Sequence, residues 1–229
     1  MRKIYFYLFT LFIIENIYSQ NIEVEYGVLF NIENIKEEKL KNSFFSKVIN
    51  ETKNQITYEL IFNDSLSDFR IKEQLDLENF NKIKFAAGLI FEGECFYNKK
   101  SNVLIKNISD YNLIIDIRHK WEIYQESKEI DGYLCYKATT EKIINNTKGT
   151  FVFPITVWFS PELPYSYGPG NYFGLPGLIL EIQERNFVVF AKKIDLKSTK
   201  KINVTPKSNL ITEDEFNKKV QEIRKNKLE

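Results

Sequence analysis

One stretch of the sequence is specified almost residue by residue, and it reads Gly168-Pro169-Gly170-Asn171-Tyr172-Phe173-Gly174-Leu175-Pro176-Gly177-Leu178-Ile179-Leu180-Glu181-Ile182. Glycine allows positive φ or close backbone approach, and proline fixes φ and removes an N–H donor. The mainly apolar end of the stretch is typical of a buried strand. The stretch therefore predicts a shaped loop that leads directly into a β-strand. We assign the structural role in this loop to five residues: Gly168, Pro169, Gly174, Pro176 and Gly177.

The glycines of this loop do not follow the order of a phosphate-binding motif. Neither GxGxxG nor GxxxxGK[ST] is present, and the loop enters a strand instead of a helix. A conformational role is therefore favoured, with Leu175 anchoring the turn inward. Loops on a rigid scaffold also carry binding surfaces, so the apolar residues of the stretch and of the segment just before it are candidates for contact with a ligand or partner. These candidates are Tyr165, Tyr167, Tyr172, Phe173 and Leu175.

The first 20 residues have the pattern of a secretory signal peptide. Arg2 and Lys3 supply the charged start, and Ile4 to Ile14 is apolar apart from Thr10. We expect cleavage near Ser19 or Gln20, with the mature protein in the periplasm, at the cell surface or outside the cell. No later stretch is long and apolar enough to be a membrane span, so no transmembrane anchor is expected after signal removal.

Composition indicates a packed globular protein without a strong net charge. Hydrophobic residues make up 43% of the chain, with 19 Phe and 13 Tyr, which suit pleated surfaces. Lys and Arg number 32 against 31 Asp and Glu, a net charge of +1. This balance gives no field to attract nucleic acid, so no nucleic-acid partner is expected. The residues after the signal, 21–229, fit one domain, because all-β domains of this size commonly stay single.

Periodicity predicts mostly strands. Ile22, Val24, Tyr26 and Val28 alternate with polar residues or glycine, and short apolar segments recur from Gln55 onward. We predict strands at Gln55 to Phe62, Cys95 to Tyr97, Val103 to Ile105, Leu113 to Ile117, Trp121 to Tyr124, Tyr133 to Thr139, Thr150 to Phe159, Leu178 to Gln183 and Phe187 to Ile194, and further strands between Phe69 and Gly93.

Two helices complete the prediction. Asn34 and Glu37 have capping-box-like spacing before an amphipathic segment that continues to Ile49, and Thr212 and Glu215 have the same spacing before the C-terminal segment. The expected fold class is mainly β (α+β): a single antiparallel sheet, curved or half-barrel-like, with a helix in the N-terminal region and one at the C-terminus.

Several ordered blocks in the central and C-terminal half carry a family resemblance. They are Phe96–Lys100, Lys120–Ile123, Glu126–Thr139, Val157–Pro164, Gly168-Pro169 and Gly174–Ile179. Together they resemble the GLPGLI family of exported bacterial proteins, over about Tyr97 to Glu181. Val157 departs from that pattern, which often has a small residue before the tryptophan. The family is uncharacterised, so the resemblance implies export but no catalytic residue or ligand.

Few residues are candidates for chemistry. Cys95 and Cys135 are the two cysteines of the chain, and in an oxidising compartment a disulfide between them and a pair of buried thiols are both open. One histidine and two distant cysteines do not suit a zinc site, and no EF-hand spacing is present, so we expect no metal and no cofactor.

Two functional hypotheses follow from these residues. The first is a non-catalytic binding or envelope-associated protein that holds an apolar ligand or a protein partner near the aromatic loop. The alternative is a secreted hydrolase that uses His119 with a serine or carboxylate that the sequence does not identify. The two differ in whether His119 lies within hydrogen-bond reach of such a group. The sequence contains no indication of oligomeric state.

Overall fold

The structure is a computed structural model that describes residues 20–31, 44–75, 77–116, 119–146, 149–204 and 209–226. Residues 1–19 of the predicted signal peptide and the Asn34–Glu37 capping box lie outside these residues. The strands within them are β1 (Asn21–Phe30), β2 (Thr57–Phe62), β3 (Leu66–Ile71), β4 (Glu94–Asn98), β5 (Val103–Ile108), β6 (Tyr111–Ile115), β7 (Glu122–Ile130), β8 (Tyr133–Asn146), β9 (Gly149–Ser160), β10 (Leu178–Glu184), β11 (Phe187–Ser198) and β12 (Leu210–Thr212). The helices are α1 (Phe44–Thr52), α2 (Leu77–Gly88) and α3 (Glu213–Asn226).

All twelve described strands form one open sheet in the order β12-β6-β5-β4-β3-β2-β1-β11-β10-β9-β8-β7. Strands β1 to β6 make a first antiparallel arm, and β7 to β11 make a second. The arms join where β1 pairs with β11, from Asn21↔Ser198 to Phe30↔Phe187. The predicted mainly β, single-sheet fold is confirmed. One pair departs from the antiparallel pattern, because β12 runs parallel to β6.

The sheet is strongly curved. Lys106 of β5 and Lys142 of β8 border the same cavity of about 1060 Å³, although eight strand-to-strand steps separate β5 from β8. At about 4.8 Å a step, a flat sheet would place them about 38 Å apart. The two arms therefore bend toward each other, as the expected half-barrel requires.

The two faces of the sheet differ in chemistry. The face that we call the inner face carries Val24, Tyr26, Leu60, Phe69 and Val157, all exposed by 1% or less. The pairing register places their sequence neighbours on the opposite, outer face, including Glu23, Glu59, Asp68 and Trp158. This alternation is what the period-2 pattern of the sequence predicts for strands.

One prediction about the middle of the chain is wrong. The sequence predicts strands between Phe69 and Gly93, but after β3 the chain forms helix α2 over Leu77–Gly88. Phe80, Ile83 and Ala87 recur at three- and four-residue intervals and are buried, which is the spacing of one helical face. The short apolar run Phe85 to Phe91 fits a buried strand as well as a buried helix segment, so the sequence pattern alone does not distinguish the two.

The C-terminal capping box is confirmed. The Thr212 backbone N–H donates to Glu215 Oε2 at 2.8 Å, and the Glu215 N–H donates to Thr212 Oγ1 at 3.3 Å. Helix α3 follows, and Phe216 packs edge-on against Tyr111 of β6. The short strand β12 before it had no sequence signal. Among the helices that the structure describes, none is long and apolar enough to span a bilayer.

Candidate functional site

The loop between β9 and β10, residues 161–177, lies against the inner face. The rings of Tyr165 and Tyr167 pack against Phe62 of β2, with centroids 5.1 and 5.2 Å apart. Tyr26 of β1 donates its hydroxyl hydrogen to the Ile179 carbonyl oxygen at 2.7 Å. The aromatic residues of the loop thus pack into the concavity of the first arm, and the Tyr26 hydroxyl connects that arm to β10 in the second.

Gly177 and Gly174 are glycine for different structural reasons. A Cβ at Gly177 would lie 2.3 Å from the Ser160 carbonyl oxygen, so only glycine lets β10 begin this close to the end of β9. Gly174 has φ +97°, a conformation that L side chains rarely adopt. A side chain at either position would therefore strain the backbone of the loop.

The same loop holds the segment that leads into β7. His119 Nε2 lies 2.8 Å from the Asn171 carbonyl oxygen, and Trp121 Nε1 donates to the Phe173 carbonyl oxygen at 3.0 Å. The His119 ring stacks on Tyr172, with centroids 5.1 Å apart. These contacts draw residues 119–121 away from β8, and β7 pairs with β8 only from Glu122↔Thr139 onward.

The cavity of about 1060 Å³ lies where residues 119–121 and β8 diverge. One wall is apolar and consists of Leu89, Ile90 and Phe91, which directly follow α2. Aromatic residues form the second wall, and the rim carries charges of both signs. The remaining lining residues include His119, Trp121 and Tyr172, Thr139 to Ile143 of β8, and the charged residues Glu92, Lys106, Lys120 and Glu184.

Glu184 is a largely enclosed charged group of the cavity, and its side chain is 12% exposed. Its Oε1 accepts the hydroxyl hydrogen of Tyr172 at 2.9 Å, and its Oε2 pairs with Lys142 Nζ at 3.1 Å. Burial is the main cause that raises the pKa of Tyr172 far above its usual value, and the negative charge of Glu184 raises it further. Tyr172 therefore stays protonated and acts as a donor to the carboxylate.

His119 has a defined tautomer. A carbonyl oxygen can only accept, so Nε2 carries the hydrogen that is shared with Asn171, and Nδ1 of the neutral ring is an acceptor. Burial lowers the pKa of His119 more than this hydrogen bond raises it, so the ring is neutral at pH 7. The hydrogen-bond partner that the structure shows for His119 is a backbone carbonyl, and not a serine or a carboxylate.

The two cysteines are unbonded, so the disulfide between Cys95 and Cys135 is not formed. Cys95 pairs with Phe69 in the inner-face register, whereas Cys135 precedes the inner-face residue Tyr136 and so belongs to the outer face. Burial raises the pKa of the Cys95 thiol to about 12 and that of Cys135 to about 11, so neither is a ready nucleophile.

The five candidate ligand-contacting residues separate into two groups. Tyr172 lines the cavity. Tyr167 and Leu175 are buried, at 3% and 1% exposure, and Tyr165 and Phe173 pack against the same core. The structure thus brings His119, Trp121 and Tyr172 together in the cavity, while the other four candidates support the loop that holds it.

Sequence reasoning missed Glu184, Lys142, Lys106 and Phe91. The predicted strand ends at Gln183, yet Glu184 is the last residue of β10 and accepts hydrogen bonds from Tyr172 of the loop and Lys142 of β8. Its neighbours are distant in sequence, so no local spacing could reveal them. Within the described residues, no group of three or more His, Cys, Asp or Glu side chains could hold a metal ion.

Comparisons with known proteins agree with the fold and leave the activity open. A family model described as "Protein of unknown function (Porph_ging)" matches residues 149–181, which include β9, the loop and the first part of β10. No curated protein matches the sequence. Two solved structures are similar, titled "Structure of PNGF-II in C2 space group" (18% identity, TM-score 0.50) and "Structure of PNGF-II in P21 space group" (15% identity, TM-score 0.53).

The similarity covers 87% and 88% of this chain but 32% and 33% of the PNGF-II chains. This chain therefore spans about a third of the length of those structures. At such low identity the likeness shows the fold alone.

Proposed function

We propose that this protein is an exported, non-catalytic binding protein that holds the apolar part of a ligand or protein partner in the inner-face cavity. The carrying observation is the cavity of about 1060 Å³, with apolar and aromatic walls. Binding sites of this kind combine a mostly apolar lining with a few placed polar groups. Here Glu184, Lys142 and His119 are such groups.

Export and family membership are part of the proposal. The charged and apolar pattern of residues 1–20 supports a signal peptide, and the ordered blocks between Tyr97 and Glu181 support membership of the GLPGLI family. The mature chain, 21–229, would then act as one domain in the periplasm, at the cell surface or outside the cell.

Native mass spectrometry of protein recovered from its own cell envelope, followed by lipid extraction, tests this proposal. We expect a bound species that leaves on extraction. A Leu89→Trp variant should lose most of it, because Leu89 lines the cavity and a larger side chain there occupies the space.

The matched control is Leu196→Trp. Leu89 and Leu196 are 47% and 46% exposed, but Leu196 of β11 does not border the cavity. The control should keep the bound species. Recovery of the protein without any copurifying molecule, or equal loss from both variants, would contradict the proposal.

A further inference from the structure

The cavity borders the edge of β8 as well as a face of the sheet. Five consecutive residues, Thr139 to Ile143, line it. Successive side chains of a strand point to opposite faces, so five in a row can border one space only where that space lies along the edge of the strand. The cavity therefore gives access to the backbone of β8.

That edge has no neighbouring strand within the described residues. Pairing between β7 and β8 ends at Glu122↔Thr139, whereas β8 continues with β9 to Asn146↔Gly149. Residues 140–146 thus pair on one side only. An unpaired strand edge presents a row of N–H and C=O groups that an extended chain can bind.

The other edges of this part of the sheet are less suited to pairing. Strand β7 exposes Glu122, Glu126 and Glu129 along its length, and such charges discourage edge-to-edge association. Strand β10 pairs with β9 only from Thr156 onward, and in the part of β9 before that point Pro154 removes one N–H donor. The free edge of β8 contains no proline.

We propose that the occupant of the site is an extended peptide segment of another protein, added as a strand to residues 140–143 of β8. This inference rests on the proposed function and names its partner class. The peptide backbone would pair with β8, and every second side chain would enter the cavity between Phe91, Trp121 and Tyr172. Backbone pairing provides affinity and the cavity provides side-chain selectivity, as in other strand-addition complexes.

The shape of the site favours a single strand over a second copy of this chain. The space beside β8 is bounded on its far side by His119, Lys120 and Trp121. A second copy would bring its own β8 with β9 paired along it, through the whole range Tyr136↔Phe159 to Asn146↔Gly149. A ribbon of two strands needs about twice the width of one strand, so a space bounded on both sides favours a single extended peptide.

A phage-displayed library of random dodecapeptides, selected on the full chain, tests this inference. We expect enriched peptides with apolar residues at alternate positions. Hydrogen exchange with a synthetic selected peptide should show slower exchange of amides in residues 140–143. N-methylation of those peptide amides that face β8 should weaken binding about tenfold or more, since each loses a backbone bond. Methylation of the intervening amides is the matched control and should change affinity little.

Three outcomes would overturn the inference: no enriched peptide, binding that leaves exchange at 140–143 unchanged, or a concentration-dependent dimer that protects this edge without peptide. If any of these occurs while a small molecule still copurifies from the envelope, the proposed function stands and only the peptide assignment fails.

Discussion

On the inner face, Tyr26, Phe62 and Phe159 are buried beneath an aromatic loop, whereas on the outer face Glu59, Arg70 and Lys200 cover the same sheet with ion pairs. Packing on the inner face depends on shape, because the loop must fit closely between strands. Packing on the outer face depends on charge, because each buried carboxylate needs a cation. A cavity on the inner face is therefore a place where an apolar ligand could fill space that the side chains leave open.

The largest effect should come from breaking the fit of the loop. In Gly177→Val, the new side chain would start 2.3 Å from the Ser160 carbonyl oxygen and 2.9 Å from the Pro161 nitrogen, both backbone atoms. We expect a loss of about 3 kcal/mol or more in the free energy of unfolding, measured by urea denaturation. Gly88→Ala is the control, since a Cβ added there would meet nothing within 4 Å, and it should change stability by about 0.5 kcal/mol or less. If Gly177→Val and Gly88→Ala had equal urea midpoints, the close approach of Gly177 to the Ser160 carbonyl would be contradicted.

On the outer face the largest effect should come from removing Arg70. Its Nε donates to Glu59 Oε1 at 2.7 Å, and its Nη1 lies 3.1 Å from Asp68 Oδ2. Burial opposes ionisation of Glu59, but hydrogen bonds from Lys200 and Arg70 hold its pKa below the ordinary value. Arg70→Met should cost about 2–3 kcal/mol by urea denaturation, because two carboxylates lose a partner. The double variant with Glu59→Gln should recover part of this loss. A double variant that is less stable than Arg70→Met would show that the pair is not the cause.

Asp68 should make the outer face sensitive to pH. Burial raises the pKa of Asp68 to about 6, although Arg70 and the Asn203 N–H favour its ionised form. Because the folded pKa lies above the unfolded value of about 3.9, the native state binds the proton more tightly. The contribution of Asp68 to stability is full below about pH 4 and is lost as the pH rises through 6.

The variant Asp68→Asn tests the direction of this pH dependence of stability. Between about pH 4 and 6, the parent should lose on the order of 1–2 kcal/mol relative to the variant as the pH rises, as measured by denaturation at each pH. The asparagine carbonyl can still accept the hydrogen bond from Asn203. A stability difference that is independent of pH, or that changes in the opposite direction, would contradict the raised pKa.

The smallest effect concerns the cavity wall. Tyr172→Phe removes the hydroxyl that donates to Glu184 at 2.9 Å but keeps the ring that stacks on His119. Lys142 still pairs with the carboxylate, so the expected cost in thermal or urea unfolding is about 1 kcal/mol. Tyr165→Phe is the matched control, because Tyr165 packs against the same core without bordering the cavity. A loss in Tyr172→Phe that is no larger than the loss in the control would contradict the stabilisation by this hydrogen bond.

Most of the strands could be predicted from the sequence, because alternation along β1 or β8 is a local property of the chain. The capping box at Thr212 and Glu215 is local as well, and it forms as predicted. Helix α2 could not be predicted because the apolar run Phe85 to Phe91 fits the pattern of a helix as well as that of a strand. The cavity could not be predicted either, since it depends on the curvature that brings Lys106 and Lys142 together from strands eight steps apart.

Quenching of the two tryptophans by acrylamide tests the central claim most directly, because Trp121 lines the cavity and Trp158 belongs to the outer face. The chain contains two tryptophans, so Trp158→Phe reports on the cavity and Trp121→Phe reports on the outer face. Each variant is purified from the envelope and measured before and after extraction of bound molecules. We predict that extraction increases quenching of Trp121 and leaves quenching of Trp158 unchanged. Unchanged quenching of Trp121, or a change confined to Trp158, would contradict a binding site on the inner face.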